Sequence, residues 1–326
     1  MGDSGPVDSA ALKAFARSLG FATVGVAPAI PPPHFAAYKD WIAADRHASM
    51  DYLSRHAQLR SDPKQLLPTV ESVVAVTLNY AQANEPIEGD PRIATYALGR
   101  DYHRVMRAKL DRLADWIRIE FPGAECRSCV DSAPILERDF AWLAGLGWFG
   151  KNTMLIDSRR GSYFFIGLVL TSVAFESDAP VHGGCGNCRA CIEACPTGAI
   201  VFDDDRWQID ARHCISYLTI EHEGPIDPTL AAKMEDWTFG CDVCQDVCPF
   251  NSRRESQPLR AAETTEPDFL KKRSWPTLVE LTVIGQDDWD RVSPGSPLRR
   301  AGLEGIRRNA KITLQNRRTH RPEPEG

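Results

Sequence analysis

Cys185-Gly-Asn-Cys188-Arg-Ala-Cys191-Ile-Glu-Ala-Cys195-Pro196 is the stretch on which the reading of this chain turns. Its spacing is C-x2-C-x2-C-x3-C-P. Three thiolates on a tight loop reach three corners of one cubane. The fourth, after three more residues, points away, and the proline turns the chain. Cys241-Asp-Val-Cys244-Gln-Asp-Val-Cys248-Pro249 repeats the second half, and Cys214 stands between them. Eight of the ten cysteines therefore fall between Cys185 and Cys248. They make two sets of four, the ligand count of two 4Fe-4S clusters.

In the bacterial-type ferredoxin arrangement the fourth cysteine of each run ligates the other cluster. That assigns Cys185, Cys188, Cys191 and Cys248 to one cluster, and Cys195, Cys214, Cys241 and Cys244 to the other. Structural zinc also suits C-x2-C pairs, but it makes little use of the extra cysteine in each run or of two Cys-Pro endings. Cys126 and Cys129 form a further C-x2-C pair without a partner pair, and read as buried free thiols.

Outward from the cysteines, the chain divides into three parts: residues 1–180, an α/β domain; 181–252, a ferredoxin-like domain; and 253–326, a helical basic C-terminal segment. In the first part, Ser9–Leu19 has helical periodicity and Ala22–Val26 follows as a strand. Ser72–Leu78 is a near-continuous apolar, β-branched run, the pattern of a strand buried on both faces. Tyr102–Glu120 and Pro134–Leu143 read as helices, and Ser162–Phe175 as a second buried strand. The last six residues, RPEPEG, read as a disordered tail.

The 326 residues are 43% hydrophobic and 25% charged, a globular balance that excludes disorder over the whole length. The longest apolar stretch, Tyr163–Phe175, is about 13 residues, short of a membrane span. The N-terminal MGDSGPVDSA carries no secretory signature, so a cytoplasmic location is expected. Net charge is −6, yet from Arg291 to Gly326 nine Lys/Arg face three Glu. A basic end on an acidic body implies a local polyanion contact. Arg300, Arg307 and Lys311 fall on one face of a helix expected around Leu298–Leu314, opposite Leu303, Ile306, Ala310 and Leu314.

Clusters move electrons and need a redox partner in the chain. No G-x-G-x-x-G follows a strand. Asp101-Tyr-His103-Arg-Val-Met106 begins like the D-x-H-x-x-G of His-ligated cobalamin sites, but Met106 stands where glycine is required.

Val130-Asp131-Ser132-Ala-Pro134-Ile-Leu-Glu137 and Ala144-Gly-Leu-Gly-Trp148-Phe-Gly-Lys151-Asn152-Thr153 resemble the epoxyqueuosine reductase family. So do Tyr96-Ala-Leu-Gly99-Arg-Asp-Tyr-His103, Cys214-Ile-Ser-Tyr-Leu-Thr219-Ile-Glu221, Ser296-Pro-Leu-Arg299-Arg and Arg308-Asn309, from about Met50 to Asn316. The resemblance implies an oxidoreductase with two 4Fe-4S clusters and a cobalamin held without a protein His lower ligand, in a domain related to those of reductive dehalogenases. It implies reduction of the epoxide of epoxyqueuosine to queuosine on the wobble base of tRNA, through the anticodon stem-loop. Electrons would enter from an external low-potential donor such as a ferredoxin or flavodoxin. Two departures stand out: no HEAT-like repeat follows the Arg308-Asn309 helix, and Phe250 replaces the tryptophan often found after Cys-Pro.

By the same resemblance Asp131 is the proton donor and also touches the cofactor. Arg60, Asn152, Ser216 and Asp242 are candidate cofactor contacts; Tyr102, His103 and Lys151 candidate substrate contacts; Arg300, Arg307 and Lys311 candidate tRNA contacts. Two other functions fit parts of this pattern: a dehalogenase-like cobalamin and iron–sulfur reductase of small molecules, and a zinc-stabilised RNA-binding protein without catalysis.

Overall fold

The computed structural model describes residues 5–82, 89–251, 261–271 and 273–320. The tail at 321–326 lies outside them. At the centre is a four-stranded sheet in the order Thr23–Pro28, Ser72–Asn79, Phe164–Thr171, Cys126–Cys129, antiparallel at every pairing. Its register runs from Ser72 opposite Thr171 to Asn79 opposite Phe164. The apolar run at 72–78 is buried on both faces, because alternate side chains enter two different cores. Val74, Val76 and Leu78 join Leu110 and Leu113 of the helix Tyr102–Glu120. Val73 and Ala75 join Phe140 and Leu143 of the helix Glu137–Leu143. Each such side chain, fully buried, contributes about 1.5–3 kcal/mol of transfer free energy.

Glycine sets how closely the helices approach this sheet. A Cβ on Gly25 would lie 2.1 Å from the Ala144 carbonyl oxygen, and one on Gly167 would meet Met106 at 2.7 Å. Cys126 and Cys129 sit three residues apart on the edge strand, so their side chains leave by opposite faces, toward the two cores. They do not form a joint metal site.

The helix Tyr102–Glu120 spans the expected residues; Asp101 caps it, its carboxylate accepting from the His103 N–H at 3.0 Å. The helix expected over Pro134–Leu143 is shorter and starts at Glu137. Residues 130–136 instead form an irregular loop in which Asp131 is left-handed, φ 49°. The C-terminal helix, Gly302–His320, also starts later than expected. A 3-10 turn, Pro297–Ala301, precedes it and is broken from it by Gly302 at φ 67°. Arg300 therefore does not share a helix face with Arg307 and Lys311.

The three stretches of sequence interleave in space. Arg92–Ile93 pairs in parallel with Trp237–Phe239, within the cysteine-rich part. Phe269 and Ala261 return to pack in the core of the α/β layer with Phe165. Ile306 and Ala310 of the C-terminal helix are fully buried with Phe239 and Leu281. Asn309, also fully buried, donates to the Thr219 and Thr238 carbonyls at 2.7 and 3.0 Å. This helix is part of the core. Among the described residues no helix is long and apolar enough to cross a membrane.

Candidate active site

The cysteine runs fold onto two short helices, Ala190–Ala194 and Val243–Asp246, that pack against each other. Cys185, Cys188, Cys191 and Cys248 line one small cavity, walled also by Asn152 and Phe250. Cys248 thus leaves its own run for the other, as the crossed assignment requires. In the second set, Cys241 and Cys244 are pushed up in pKa first by burial and then by neighbouring thiols, Cys214 being felt by both and Cys195 by Cys241. Crowded thiols desolvated as Cys214, Cys241 and Cys244 are carry negative charge at low cost only against bound cations. Among the described residues no three His, Cys, Asp or Glu converge as they would on a single ion. A tetrahedral zinc would draw its sulfurs to within about 4 Å of one another. Two sets of four thiols match the ligand count of two 4Fe-4S clusters. Backbone N–H groups aim at the sulfurs, Lys151 at Cys185 (3.4 Å) and Ala199 at Cys195 (3.3 Å), which tunes cluster potential.

A cavity of about 690 Å3 opens between the sheet's loops and this module. Its wall runs from Asp131 to Cys185 and is largely aromatic and aliphatic, with Tyr38, Trp41, Phe149 and Trp207. Asp131 stands at its mouth. The carboxylate accepts from His103 Nε2 at 2.9 Å, while His103 Nδ1 lies 2.8 Å from Asp101. An imidazole between two carboxylates holds its proton tightly. Burial pushes the His103 pKa down, but the two carboxylates outweigh it and raise it to about 9. Burial pushes the Asp131 carboxyl up, yet the His103 bond and charge, the Tyr102 hydroxyl and Arg300 hold it below its usual range. At neutral pH Asp131 is a carboxylate and the proton rests on His103. Glu137 accepts the Asp131 backbone N–H at 2.6 Å, and burial followed by the Asp131 charge raises its own pKa to about 8.

The other candidates separate by position. Arg60 is buried, lies 5.8 Å over the Tyr38 ring and lines the large cavity. Lys151 also lines it, but its ammonium is engaged by the Gly186 and Cys188 carbonyls at 2.7 and 2.9 Å, so it clamps the first cysteine loop. Asn152 is buried beside the small cavity and donates to the Cys244 carbonyl at 3.1 Å. Asp242 is spent on the Thr95 N–H and hydroxyl, both at 2.7 Å. Ser216 lies in the helix Ile215–Ile220, its N–H directed at the Cys214 sulfur. Asn152, Asp242 and Ser216 are absent from the large cavity's wall; all three brace the cysteine module. Tyr102 stacks on Phe165 with ring centroids 4.2 Å apart and reaches Asp131 with its hydroxyl. Arg307 is held by the Ile284 carbonyl at 2.7 Å and by Glu304 at 2.8 Å, whereas Lys311 is exposed. Arg300 forms a two-bonded pair with Glu221.

Residues 184–251 match the family described as a 4Fe-4S double cluster binding domain, and residues 60–132 match "Epoxyqueuosine reductase QueG, DUF1730". An epoxyqueuosine reductase of Escherichia coli (strain K12) is 39% identical over 94% of this chain and 80% of its own length. That of Gloeobacter violaceus is 41% identical over 94% of this chain and 95% of its own. The chain belongs to the epoxyqueuosine reductase family. The solved epoxyqueuosine reductase of Streptococcus thermophilus superposes with a TM-score of 0.79, at 26% identity over 96% of this chain and 81% of that one. A reductase solved with an epoxyqueuosine-modified tRNA-Tyr stem-loop gives 0.76 at 29%, over 94% and 80%. The Bacillus subtilis reductase, solved with its catalytic aspartate loop swung out of the active site, gives 0.77 at 29%, also over 94% and 80%.

In this family member three participants had no role assigned by sequence pattern. Asp101 carried a readable signal, as an Asp directly before a helix. Glu137 and Glu221 were visible within the family motifs, but their contacts with the Asp131 backbone and with Arg300 depend on loop geometry that no periodicity encodes.

Proposed function

We propose that this protein reduces epoxyqueuosine to queuosine in tRNA, with Asp131 delivering the proton to the departing oxygen. The supporting observation is the hydrogen-bonded line Asp101–His103–Asp131 at the mouth of a cavity whose far wall includes a cluster cysteine. The balance is an epoxide plus two electrons and two protons giving an alkene and water. Both C–O bonds of the epoxide break, and the oxygen takes up both protons. His103 holds a proton, Asp131 passes it on across 2.9 Å, and Asp101 stabilises the imidazolium. The second exchangeable proton beside Asp131 is that of Glu137.

The cavity's residues fit a cobalamin: aromatic and aliphatic surface for the macrocycle, with Arg60 and His34 as polar partners for its amide periphery. When bound, that cofactor supplies a strongly reducing metal centre. The chain's own part is to bind it, to exclude water with Tyr38, Trp41 and Phe149, and to hold the proton on His103 for relay through Asp131. Among the cavity-lining groups His34 is turned by its 2.8 Å contact with Asp139, and no cobalt ligand is assigned to it. Low-potential electrons would come singly from a ferredoxin- or flavodoxin-class donor, and the cytoplasm is the compartment in which such a tRNA enzyme works.

The test is anaerobic purification with iron, sulfide and corrinoid measured on one sample, followed by turnover on tRNA bearing epoxyqueuosine. About eight iron atoms per chain and queuosine as product are expected. Bound zinc without iron, or no conversion by corrinoid-loaded enzyme, would refute the reading.

A further inference from the structure

Arg300 does not behave as a phosphate-binding arginine. Its Nε and Nη2 donate to both oxygens of Glu221, at 3.0 and 2.8 Å, so its charge is already matched. Its guanidinium lies 5.6 Å over the Tyr52 ring. The three residues come from separate segments: Tyr52 from the helix Asp51–Arg55, Glu221 from the end of Ile215–Ile220, Arg300 from the turn Pro297–Ala301. They meet beside the reaction centre: Leu53, the residue after Tyr52, lines the same cavity as Asp131, and the Arg300 and Tyr52 side chains both feel the Asp131 charge. Arg300 is about half exposed, so the cluster is open to a ligand.

We infer that Tyr52, Glu221 and Arg300 form a subsite that reads the nucleobase of the substrate, a purine-like base with a carbonyl oxygen beside ring N–H and amino donors. This rests on the tRNA reading above and adds a specificity site to it. The chemistry matches group by group. A planar aromatic ring and a planar cation stack on a base. Glu221 keeps lone pairs beyond the two bonds it accepts, and so can take the ring N–H and amino donors. Arg300 keeps further N–H groups for the carbonyl oxygen. A phosphate would be repelled by Glu221. A sugar hydroxyl would leave the aromatic ring without a role.

The test compares two synthetic anticodon stem-loops, one with guanine at the wobble position and one abasic there, binding to the holoenzyme. Arg300→Lys keeps the charge but loses the fork, and Glu221→Gln keeps the shape but loses the acceptor charge. Both variants should bind the guanine stem-loop at least tenfold more weakly than wild type, the loss expected of one two-bonded base contact. Affinity for the abasic loop, the salt slope and the cluster absorption should stay as in wild type. Equal weakening on both stem-loops by Arg300→Gln, with a salt slope lower by about 0.7, would make Arg300 a phosphate contact and overturn the inference. Unchanged binding of both, with lowered thermal stability alone, would make the pair a bracket between segments and overturn it equally. If wild type bound neither stem-loop, the tRNA reading itself would fall, and this subsite with it.

Discussion

The proton at this site is positioned by three side chains and one unusual backbone angle. Asp131 adopts φ 49°, a region in which a residue with a Cβ is uncommon. Its carboxylate meets His103, and its own N–H is held by Glu137. Replacing Asp131 by Asn keeps the shape and removes the carboxylate that relays the His103 proton. Turnover should fall by about 10²–10⁴-fold, while cluster absorption and corrinoid content remain; rapid-quench analysis of the tRNA product measures this. The pH profile follows from His103. Its proton is present below its raised pKa of about 9 and is lost as pH rises through that value. The single-turnover rate should therefore begin to fall near pH 8, where Glu137 loses its proton, and drop further above about pH 9 as His103 does. In His103→Gln the further drop should shift or vanish; a drop unmoved by that change would assign the proton to another group. Asp131 could be singled out in the sequence because the VDSAP context accompanies it. Its ionisation could not be read there, because the partners that lower its pKa, His103 foremost, come from a distant helix.

At the scale of elements, hydrophobic pattern decided most of the fold. The helix Tyr102–Glu120 and the two buried strands lie where periodicity puts them, because each buries a full stripe or two full faces. Pattern failed over residues 130–136. There a left-handed residue and Pro134 admit a short helix by composition, but the hydrogen bonds are i to i−2 turns, as from Ile135 N–H to the Ala133 carbonyl. The cost of that loop is met by packing around it, notably where Ala144, after the helix Glu137–Leu143, sits on Gly25. Gly25→Ala would place a methyl carbon 2.1 Å from a backbone oxygen that cannot rotate away. A destabilisation of about 1–3 kcal/mol or more is expected, as for overpacked cores, read as a lower midpoint in urea. The crossed cysteines make a sharper element-level prediction. Cys195→Ala should damage the cluster of Cys214, Cys241 and Cys244 and spare the one at Cys185, Cys188, Cys191 and Cys248. Electron paramagnetic resonance of the reduced variant, showing loss of the Cys185 cluster alone, would contradict the crossing.

Across the whole molecule, charge and connectivity are arranged together. The acidic body and the basic end were legible from composition, whereas the division of labour among the basic residues was not, since each one's partner lies far away in sequence. Arg308 donates to the Leu218, His222 and Gly224 carbonyls, and Arg307 to Ile284. Arg308 ties the C-terminal helix to the cysteine-rich part, and Arg307 ties it to the backbone at Ile284. Lys311 and Arg318 are exposed and one heptad apart, on one face of that helix. If tRNA phosphates are held at this end, these two residues supply the contact. The double variant Lys311→Gln, Arg318→Gln should lower the log–log salt slope of tRNA binding by about 1.4 for single-stranded RNA, and by about 1.8 on a duplex stem. Arg307→Gln should leave that slope unchanged and lower the melting temperature instead, because its donors serve the protein. Titrations at several salt concentrations, beside thermal melts of the same samples, separate the two classes. An unaltered slope in the double variant would move the backbone contact to another surface.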